Sequence, residues 1–231
     1  MMLKIDLHVH TWYSDSRASV KEVIDEARRK GLNGIAITDH NTMDALKDAK
    51  RLKGNLIIIP GEEVWTCQGE ILALGIRKPI RKGLRIMDAI RRVHSQNGIV
   101  IIPHPTIPIF SRIKEETLRK LPIDGIEAFS AMTPLPRYFL KKNINLALRL
   151  KLPIVAGSDS HFKETVGDAY TIIDSKSSCI EDILDAIKLG KTKIGCKPSS
   201  WKFKVKIAPG IMISLLKTPL TYKSYLANRI N

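Results

Sequence analysis

Cysteine is scarce in this chain, and its copies lie far apart in the sequence. Cys67, Cys179 and Cys196 have no Cys-x-x-Cys spacing, which argues against a disulfide framework and against a thiolate zinc site. Long apolar runs are lacking as well, since none reaches the roughly 18 residues of a membrane span. The N-terminus also lacks the pattern of a signal peptide. We therefore expect a cytoplasmic protein with no membrane partner.

Acidic residues are outnumbered, with 23 Asp and Glu against 38 Lys and Arg, which gives a formal net charge of +15. This excess favours a polyanionic or phosphorylated partner. A solvated surface of the kind found in thermophilic proteins would give the same balance, and charge alone does not decide between the two. The hydrophobic share of 44% over 231 residues is enough for the core of one large domain, with or without a small appendage.

The stretch 3–15 is the one around which the chain is organised. Its apolar residues 3, 5, 7 and 9 alternate with polar ones, which predicts a strand with the four apolar side chains on one side. His8 and His10 then share the other side, where two imidazoles can hold one metal ion, and Asp15 follows on a polar loop. A His-x-His pair also occurs by chance in strands, so this pattern alone leaves metal binding open.

Further along, short apolar strands alternate with amphipathic helices, the first of which begins at a Ser19–Glu22 capping box. At least six such units predict a parallel sheet that closes into a β/α barrel over residues 1–196, with a doubly wound open sheet as the alternative. Residues 197–231 differ in character and form a short basic C-terminal extension. We expect an amphipathic strand at 201–207 and an extension packed on the barrel. A contact surface for nucleic acid or another subunit is the alternative for this segment.

Five of the six histidines lie in or just after an apolar strand, at its C-terminal end: His8, His10, His40, His104 and His161. That edge of a β/α barrel carries the loops that build active sites. Asp15, Asp39, Glu63 and Asp159 lie on the same loops, whereas His94 falls inside a predicted helix and is left out. Histidine and carboxylate ligands without cysteine suit zinc, manganese or iron. Because one ion takes roughly three or four protein ligands, the set suggests two or three ions, with Glu63 as the best-placed bridge.

Five separated motifs in residues 6–161 resemble those of the polymerase and histidinol phosphatase (PHP) family. They are D-L-H-V-H-T, I-T-D-H-N, P-G-E-E, I-I-P-H-P and G-S-D-S-H, in that order. The resemblance implies a distorted, TIM-barrel-like β/α barrel of seven repeats. It also implies a centre of two or three divalent transition-metal ions that hydrolyses phosphate esters with a metal-activated hydroxide.

Carried over to this sequence, the resemblance implies these metal ligands: His8, His10, Asp15, His40, Glu63, His104, Asp159 and His161. Glu127 matches a position that varies in the family and is expected to be a further ligand. Asp6 and Asp39 resemble residues that orient ligand imidazoles. We expect the catalytic groups to be Asp39, His40, Asp159 and His161.

The substrate is expected to be a nucleotide, a nucleoside bisphosphate or another small phosphomonoester. Single-stranded DNA or RNA cleaved from an end and histidinol phosphate are the alternatives. From a different class, a non-catalytic RNA-binding barrel subunit remains open. Arg17, Arg137 and Lys163 follow site strands and are placed to bind the substrate phosphate, and the strong alternative for each is a solvated surface cation. The sequence leaves the oligomeric state open.

Overall fold

A nine-stranded sheet curls almost into a closed barrel in the computed structural model, which describes residues 1–107 and 113–206. Its strands are β1 (Met2–Val9), β2 (Gly34–Ile37), β3 (Ile57–Thr66), β4 (Gly69–Leu74), β5 (Ile99–Ile102), β6 (Gly125–Ser130), β7 (Ile154–Gly157), β8 (Ala169–Asp174) and β9 (Thr192–Cys196). The helices are α1 (Val20–Arg29), α2 (Ala45–Leu52), α3 (Ile86–His94), α4 (Glu115–Leu118), α5 (Pro136–Leu150) and α6 (Ile180–Lys188). Met1–Ser199 form one compact unit that contains all of these elements.

The strand order is β7-β6-β5-β4-β3-β2-β1-β8-β9. Pairs β1–β2, β2–β3, β5–β6 and β6–β7 are parallel, whereas β4 and β8 run antiparallel to both of their neighbours. A parallel bridge between Val9 and Ser160 brings the chain after β7 against β1. There Asp159 N donates to His8 O at 2.8 Å, and His10 N donates to Ser160 O at 3.1 Å. The distorted barrel is therefore confirmed over the open sheet.

The seven repeats are not confirmed. Strands β3 and β4 form a hairpin with no helix between them, so the described elements are not a regular succession of strand–helix units. The sheet is mixed because β4 and β8 each reverse direction, whereas the alternation of strands and helices in the sequence predicted a parallel sheet.

Strand β1 changes faces along its length because its register with β2 shifts between Asp6 and Val9. Leu3, Ile5 and Leu7 pack with the apolar side chains of α6, on the inner side of the barrel. Val9 instead packs with α1 and α2 on the outer side. The prediction that all four apolar residues share one side is therefore wrong for Val9, because a bulge reverses the alternation. His8 and His10, which flank Val9, consequently lie on the inner side.

Helix α1 begins at the predicted capping box: Ser19 Oγ accepts from Glu22 N at 3.2 Å, and Glu22 Oε2 accepts from Ser19 N at 3.0 Å. Among the helices of the described residues, none is both long and apolar enough to cross a membrane.

The second unit begins at Ser200, and its described part is a helix over 201–206. The predicted strand at 201–207 is therefore wrong for residues 201–206. Serine is a residue type favoured at helix N-termini. The backbone carbonyl oxygen of Ser200 accepts from the amides of Phe203 and Lys204 at 3.0 and 3.4 Å, which closes the first turn. Residues 207–231, which include the rest of the predicted extension, lie outside the described residues, and its packing on the barrel stays a prediction.

Gly157 lies where β7 meets β1, and the Gly157→Ala variant tests this closure. A Cβ at Gly157 would lie 2.4 Å from His8 Cβ and 2.9 Å from His8 N, so the two strands would have to separate. We expect a loss of about 1–3 kcal/mol in the free energy of unfolding, measured by urea denaturation, together with a lower content of bound divalent metal.

Gly31→Ala is the matched control, because nothing lies within 4 Å of the added carbon and only its φ of +68° opposes the change. This variant should lose about 1–2 kcal/mol from backbone strain and keep its metal content. Equal metal content in both variants would show that β7 and β1 do not meet as described.

Candidate metal centre

Glu63 lies at the middle of a cluster of four imidazoles that come from the ends of three strands. Its Oε2 lies 3.1 Å from His8 Nε2, 3.3 Å from His10 Nε2 and 3.4 Å from His40 Nδ1. Its Oε1 lies 3.3 Å from His104 Nε2. An isolated bridge pairs His40, just beyond β2, with Glu63 in β3, which places the two side chains together. The structure thus brings these five predicted ligands to one point.

Asp15, Asp159 and His161 complete the cluster from the loops after β1 and β7. Asp15 Oδ1 lies 3.2 Å from His161 Nε2, and Asp15 Oδ2 lies 3.6 Å from His40 Nε2. Asp159 Oδ1 lies 3.4 Å from His10 Nε2. Asp15 is the exposed member, with 54% of its side chain accessible, whereas the side chains of His8 and His10 are fully buried. The cluster therefore opens to solvent beside Asp15.

Two of these ligand residues have a left-handed backbone, with φ of +49° at His104 and +55° at Asp159. Such a conformation is uncommon for residues other than glycine and costs about 1–2 kcal/mol. Asn41, next to His40, also has a positive φ, of +55°. Strain of this kind concentrates at functional sites, where it turns a side chain toward its target.

Glu127 is buried and contacts His8 from the other ring nitrogen: its Oε1 lies 3.0 Å from His8 Nδ1. A carboxylate that accepts from Nδ1 fixes the tautomer and leaves Nε2 free to act as a ligand. This contact brings Glu127 into the site as a residue that orients His8, and its role as a ligand stays a prediction.

The donor atoms fall into three groups, and the atoms of each group lie within 4.8 Å of one another. The groups are His10, Asp15, His40 and His161; His8, His10 and Glu63; and Glu63, Glu70 and His104. His10 and Glu63 are each shared by two groups, which is how ligands bridge neighbouring ions. Imidazole and carboxylate donors of this kind suit zinc, manganese or iron(II).

Buried polar atoms without partners support the same interpretation. Across residues 1–107 and 113–206, His10 Nδ1 and Glu127 Oε2 are buried and have no hydrogen-bond partner. His8 Nε2 and His10 Nε2 also lie only 3.0 Å apart, as two donors to one cation would. Because buried polar atoms are normally paired, the residues present fit a bound metal ion.

The pKa values of the cluster show how strongly it demands positive charge. Burial opposes charge on His10, yet hydrogen bonds with the Asp159 and Glu63 carboxylates raise its pKa to about 10. Burial would raise the pKa of Glu63, but the surrounding imidazoles hold it well below its usual range. At His40 burial prevails and lowers the pKa to about 4. Protons supply the compensating charge that divalent ions would supply on binding, with release of those protons.

Glu70 was missed by the sequence reasoning. It lies at the start of β4, and its Oε2 is 3.7 Å from His104 Nε2. Burial, followed by the nearby Glu63 carboxylate, raises the pKa of Glu70 to about 8. In a parallel sheet the start of a strand lies at the edge opposite the site. Because β4 is antiparallel to β3 and β5, its start lies at the site instead.

Asp6 and Asp39 were predicted to orient ligand imidazoles, and among the described residues their carboxylates accept hydrogen bonds from backbone amides and hydroxyls. Asp39 Oδ1 accepts from Thr11 N and Ser14 Oγ, both at 2.7 Å, and Asp39 Oδ2 accepts from Thr11 Oγ1 at 2.6 Å. Asp6 accepts from the amides of Ser158 and Gly167, both at 2.8 Å. Asp39 therefore fixes the loop that carries Asp15, and its contacts do not support the predicted catalytic role.

The three cations predicted to bind substrate lie on the surface around the site. Lys163 Nζ donates to Glu22 Oε1 at 3.0 Å, and the Arg17 guanidinium lies 5.7 Å from the centre of the Phe162 ring. Arg137 is exposed in the first turn of α5. Their role toward substrate stays a prediction. His94 pairs with Asp124 at 2.8 Å and belongs to none of the three donor groups, which agrees with the prediction that it is not part of the site.

The Glu70→Gln variant tests the third donor group. The amide keeps the shape of the side chain but removes the anionic donor, so we expect less bound manganese or zinc per chain after dialysis, measured by mass spectrometry of the metal. Glu181→Gln, on the exposed side of α6, is the matched control and should bind as much metal as the unchanged chain. Equal metal content in the two variants would remove Glu70 from the centre.

Comparison with known proteins relates this chain to a family. A family model described as PHP-associated matches residues 138–192. An uncharacterized protein of Methanocaldococcus jannaschii is 34% identical over 142 residues, which are 56% of this chain and 82% of that protein.

Two solved structures share the fold. A two-domain protein of Bacteroides vulgatus, which contains a predicted PHP-like metal-dependent phosphoesterase, has a TM-score of 0.70 at 20% identity. The match covers 85% of this chain and 65% of that one, so this chain spans less than two thirds of its length. The lesion-specific endonuclease of Pyrococcus furiosus has a TM-score of 0.64 at 17% identity, over 84% of this chain and 58% of that one. With the five motifs and their side chains gathered at one site, the chain belongs to the PHP family.

Proposed function

We propose that this protein is a metal-dependent hydrolase of phosphate esters. The observation that carries the proposal is the cluster around Glu63, whose donor atoms form three adjoining groups suited to two or three divalent ions. The Bacteroides vulgatus protein, which contains a predicted phosphoesterase, and the Pyrococcus furiosus endonuclease share the fold and support a phosphoester as the substrate. The intact set of ligands favours this activity over a non-catalytic RNA-binding subunit.

Bound divalent ions would supply an activated water at neutral pH and neutralise charge that develops on the phosphate. Glu63 would hold adjacent ions together, because its two oxygens face different imidazoles. Trp65 Nε1 donates to His40 Nδ1 at 3.1 Å, which fixes this imidazole with Nε2 toward Asp15. His161 is held by the opposite kind of contact: its Nδ1 donates to the Asp159 carbonyl oxygen at 2.9 Å, which leaves its Nε2, toward Asp15, free to act as a ligand.

The charges of the centre suit an anionic substrate. Asp15, Glu63, Glu127 and Asp159 are the carboxylates predicted as ligands, and three dications would exceed their combined negative charge even with Glu70 ionised. With three ions bound, a phosphate would therefore meet a net positive centre. It would reach that centre beside Asp15, where the cluster is open to solvent.

The metal and the cellular location are parts of the same proposal. Zinc, manganese and iron(II) all suit the donors. The three cysteines are free thiols, which agrees with a reducing cytoplasm. Nucleotides, nucleoside bisphosphates and other small phosphomonoesters are the first substrates to test, with oligonucleotides and histidinol phosphate beside them.

The His40→Ala and Asp159→Ala variants test the proposal. Each removes a donor from the centre, so kcat/KM for a chromogenic phosphoester with added manganese should fall by at least about 100-fold. A chelator should abolish the activity of the unchanged chain. Circular dichroism would check that each variant is folded.

His94→Gln is the matched control, since it also changes a histidine but lies in the pair with Asp124. It should keep its full activity. Full activity in either His40→Ala or Asp159→Ala would show that hydrolysis does not take place at this centre.

A further inference from the structure

Five cations fall within nine residues between β4 and α3, and we call them the basic strip: Arg77, Lys78, Arg81, Lys82 and Arg85. All five are exposed. In the part of the chain that the structure describes, none of them forms an ion pair with a carboxylate. Some cations on the helices differ, since Arg51 pairs with Asp48 at 3.1 Å and Arg29 with Glu26 at 2.7 Å. The charge of the basic strip is therefore available to an anionic partner.

The backbone of the basic strip is fixed against the protein. Gln96 Oε1 accepts from the amides of Arg77 and Lys78 at 2.9 and 2.7 Å. The buried carboxylate of Glu62 accepts from the amide of Ile80, whose side chain is also buried. The five cations thus lie on an ordered segment, so binding of a partner does not lose free energy to the ordering of this backbone.

The basic strip leads to the metal centre along the β3–β4 hairpin. Gly83 N donates to Trp65 O at 2.7 Å, and Cys67 N donates to Leu84 O at 2.9 Å. Trp65 pairs across the hairpin with Glu70, which belongs to the third donor group. The Lys82–Arg85 end of the basic strip therefore lies beside the part of the hairpin that carries Trp65.

Two exposed tryptophans lie on the segments that carry metal ligands. Trp65 is 41% exposed, and its ring centre is 5.3 Å from that of His40. Trp12 is 61% exposed, two residues after His10 and three before Asp15. The loop of Trp12 is held by the contacts of Asp39 with Thr11 and Ser14. Exposed indoles at a site of this kind offer stacking surfaces to nucleobases.

We propose that the tryptophans and the basic strip form a binding surface for single-stranded nucleic acid, with bases on Trp12 and Trp65 and the phosphate backbone along the basic strip. Unpaired cations beside exposed aromatic rings are how proteins bind single strands without reading their sequence. A duplex keeps its bases stacked on one another, so it has less free base surface to stack on the indoles. The inference rests on the proposed function, and it makes strands, in preference to free small phosphomonoesters, the substrates that this site receives.

The experiment measures binding of a fluorescein-labelled oligothymidylate of about 12 nucleotides by anisotropy, across a range of salt concentrations and with a chelator present. We compare the unchanged chain with an alanine triple variant of Arg81, Lys82 and Arg85. We expect two effects of losing three phosphate contacts. The slope of the logarithm of the association constant against the logarithm of the salt concentration should become less steep by about 2, and binding at low salt should weaken by at least about tenfold.

The matched control replaces Lys176, Lys191 and Lys193 with alanine. These exposed lysines lie at the other end of the barrel, near the start of β1, and removing them changes the net charge equally. This variant should bind the oligothymidylate as the unchanged chain does. Equal weakening by both triple variants would overturn the inference, because it would reduce the effect to overall charge.

Variants of Trp12 test whether nucleobases stack on its indole ring. Trp12→Ala should weaken binding about 5- to 150-fold without changing the salt dependence, and Trp12→Phe should restore most of the loss. An unchanged affinity in Trp12→Ala would overturn the inference. So would tighter binding to phosphatidylserine vesicles or to a duplex of the same length than to the single strand.

Failure of this inference is distinguishable from failure of the proposed function, because binding is measured without metal. Oligothymidylate binding with no turnover of any phosphoester would contradict the proposed function alone. Turnover of a small phosphomonoester with no oligothymidylate binding would contradict the inference alone.

Discussion

A single buried carboxylate, that of Glu63, sets the constraint on which the rest of this structure depends. An ionised carboxylate in the interior is stable only when positive charge or several hydrogen-bond donors surround it. Four imidazoles lie within 3.4 Å of its oxygens. Burial opposes charge on three of them, His8, His10 and His104, yet nearby carboxylates raise their pKa values, so these three fill this need with protons. Divalent ions would fill it with greater charge, so the same contacts that stabilise the folded chain prepare a metal centre.

The mixed sheet is what brings the ligands to one place. Parallel strands deliver their C-terminal ends to the site, as His10, His40 and His104 illustrate. The antiparallel strand β4 delivers its N-terminal end, and with it Glu70. The bulge in β1 turns His8 and His10 to the inner side, where Gly157 allows β7 to approach His8 closely. Departures from regular barrel geometry therefore occur where the centre requires them.

The sequence predicted most of the centre because its histidines and acids follow apolar strands at one edge of the sheet. It did not predict Glu70, and it did not predict the bulge that turns His8 and His10 to the inner side of the barrel. Strand direction and bulges arise from pairing between segments that lie far apart in the chain. Because Asp39 precedes His40 in the sequence, it was predicted to orient the His40 imidazole. Its carboxylate instead accepts hydrogen bonds from Thr11 and Ser14. The alternation at 201–207 predicted the wrong element for residues 201–206, because a seven-residue pattern does not fix the backbone conformation, and a helix begins after Ser200.

Anomalous diffraction from a crystal grown with manganese tests most directly whether Glu63 organises a metal centre. We expect two or three anomalous peaks, each within bonding distance of the donor atoms of one group, and at least one peak bonded to Glu63. Peaks elsewhere on the surface, or none within reach of Glu63 in a crystal of folded protein, would contradict the claim that this carboxylate organises a metal centre.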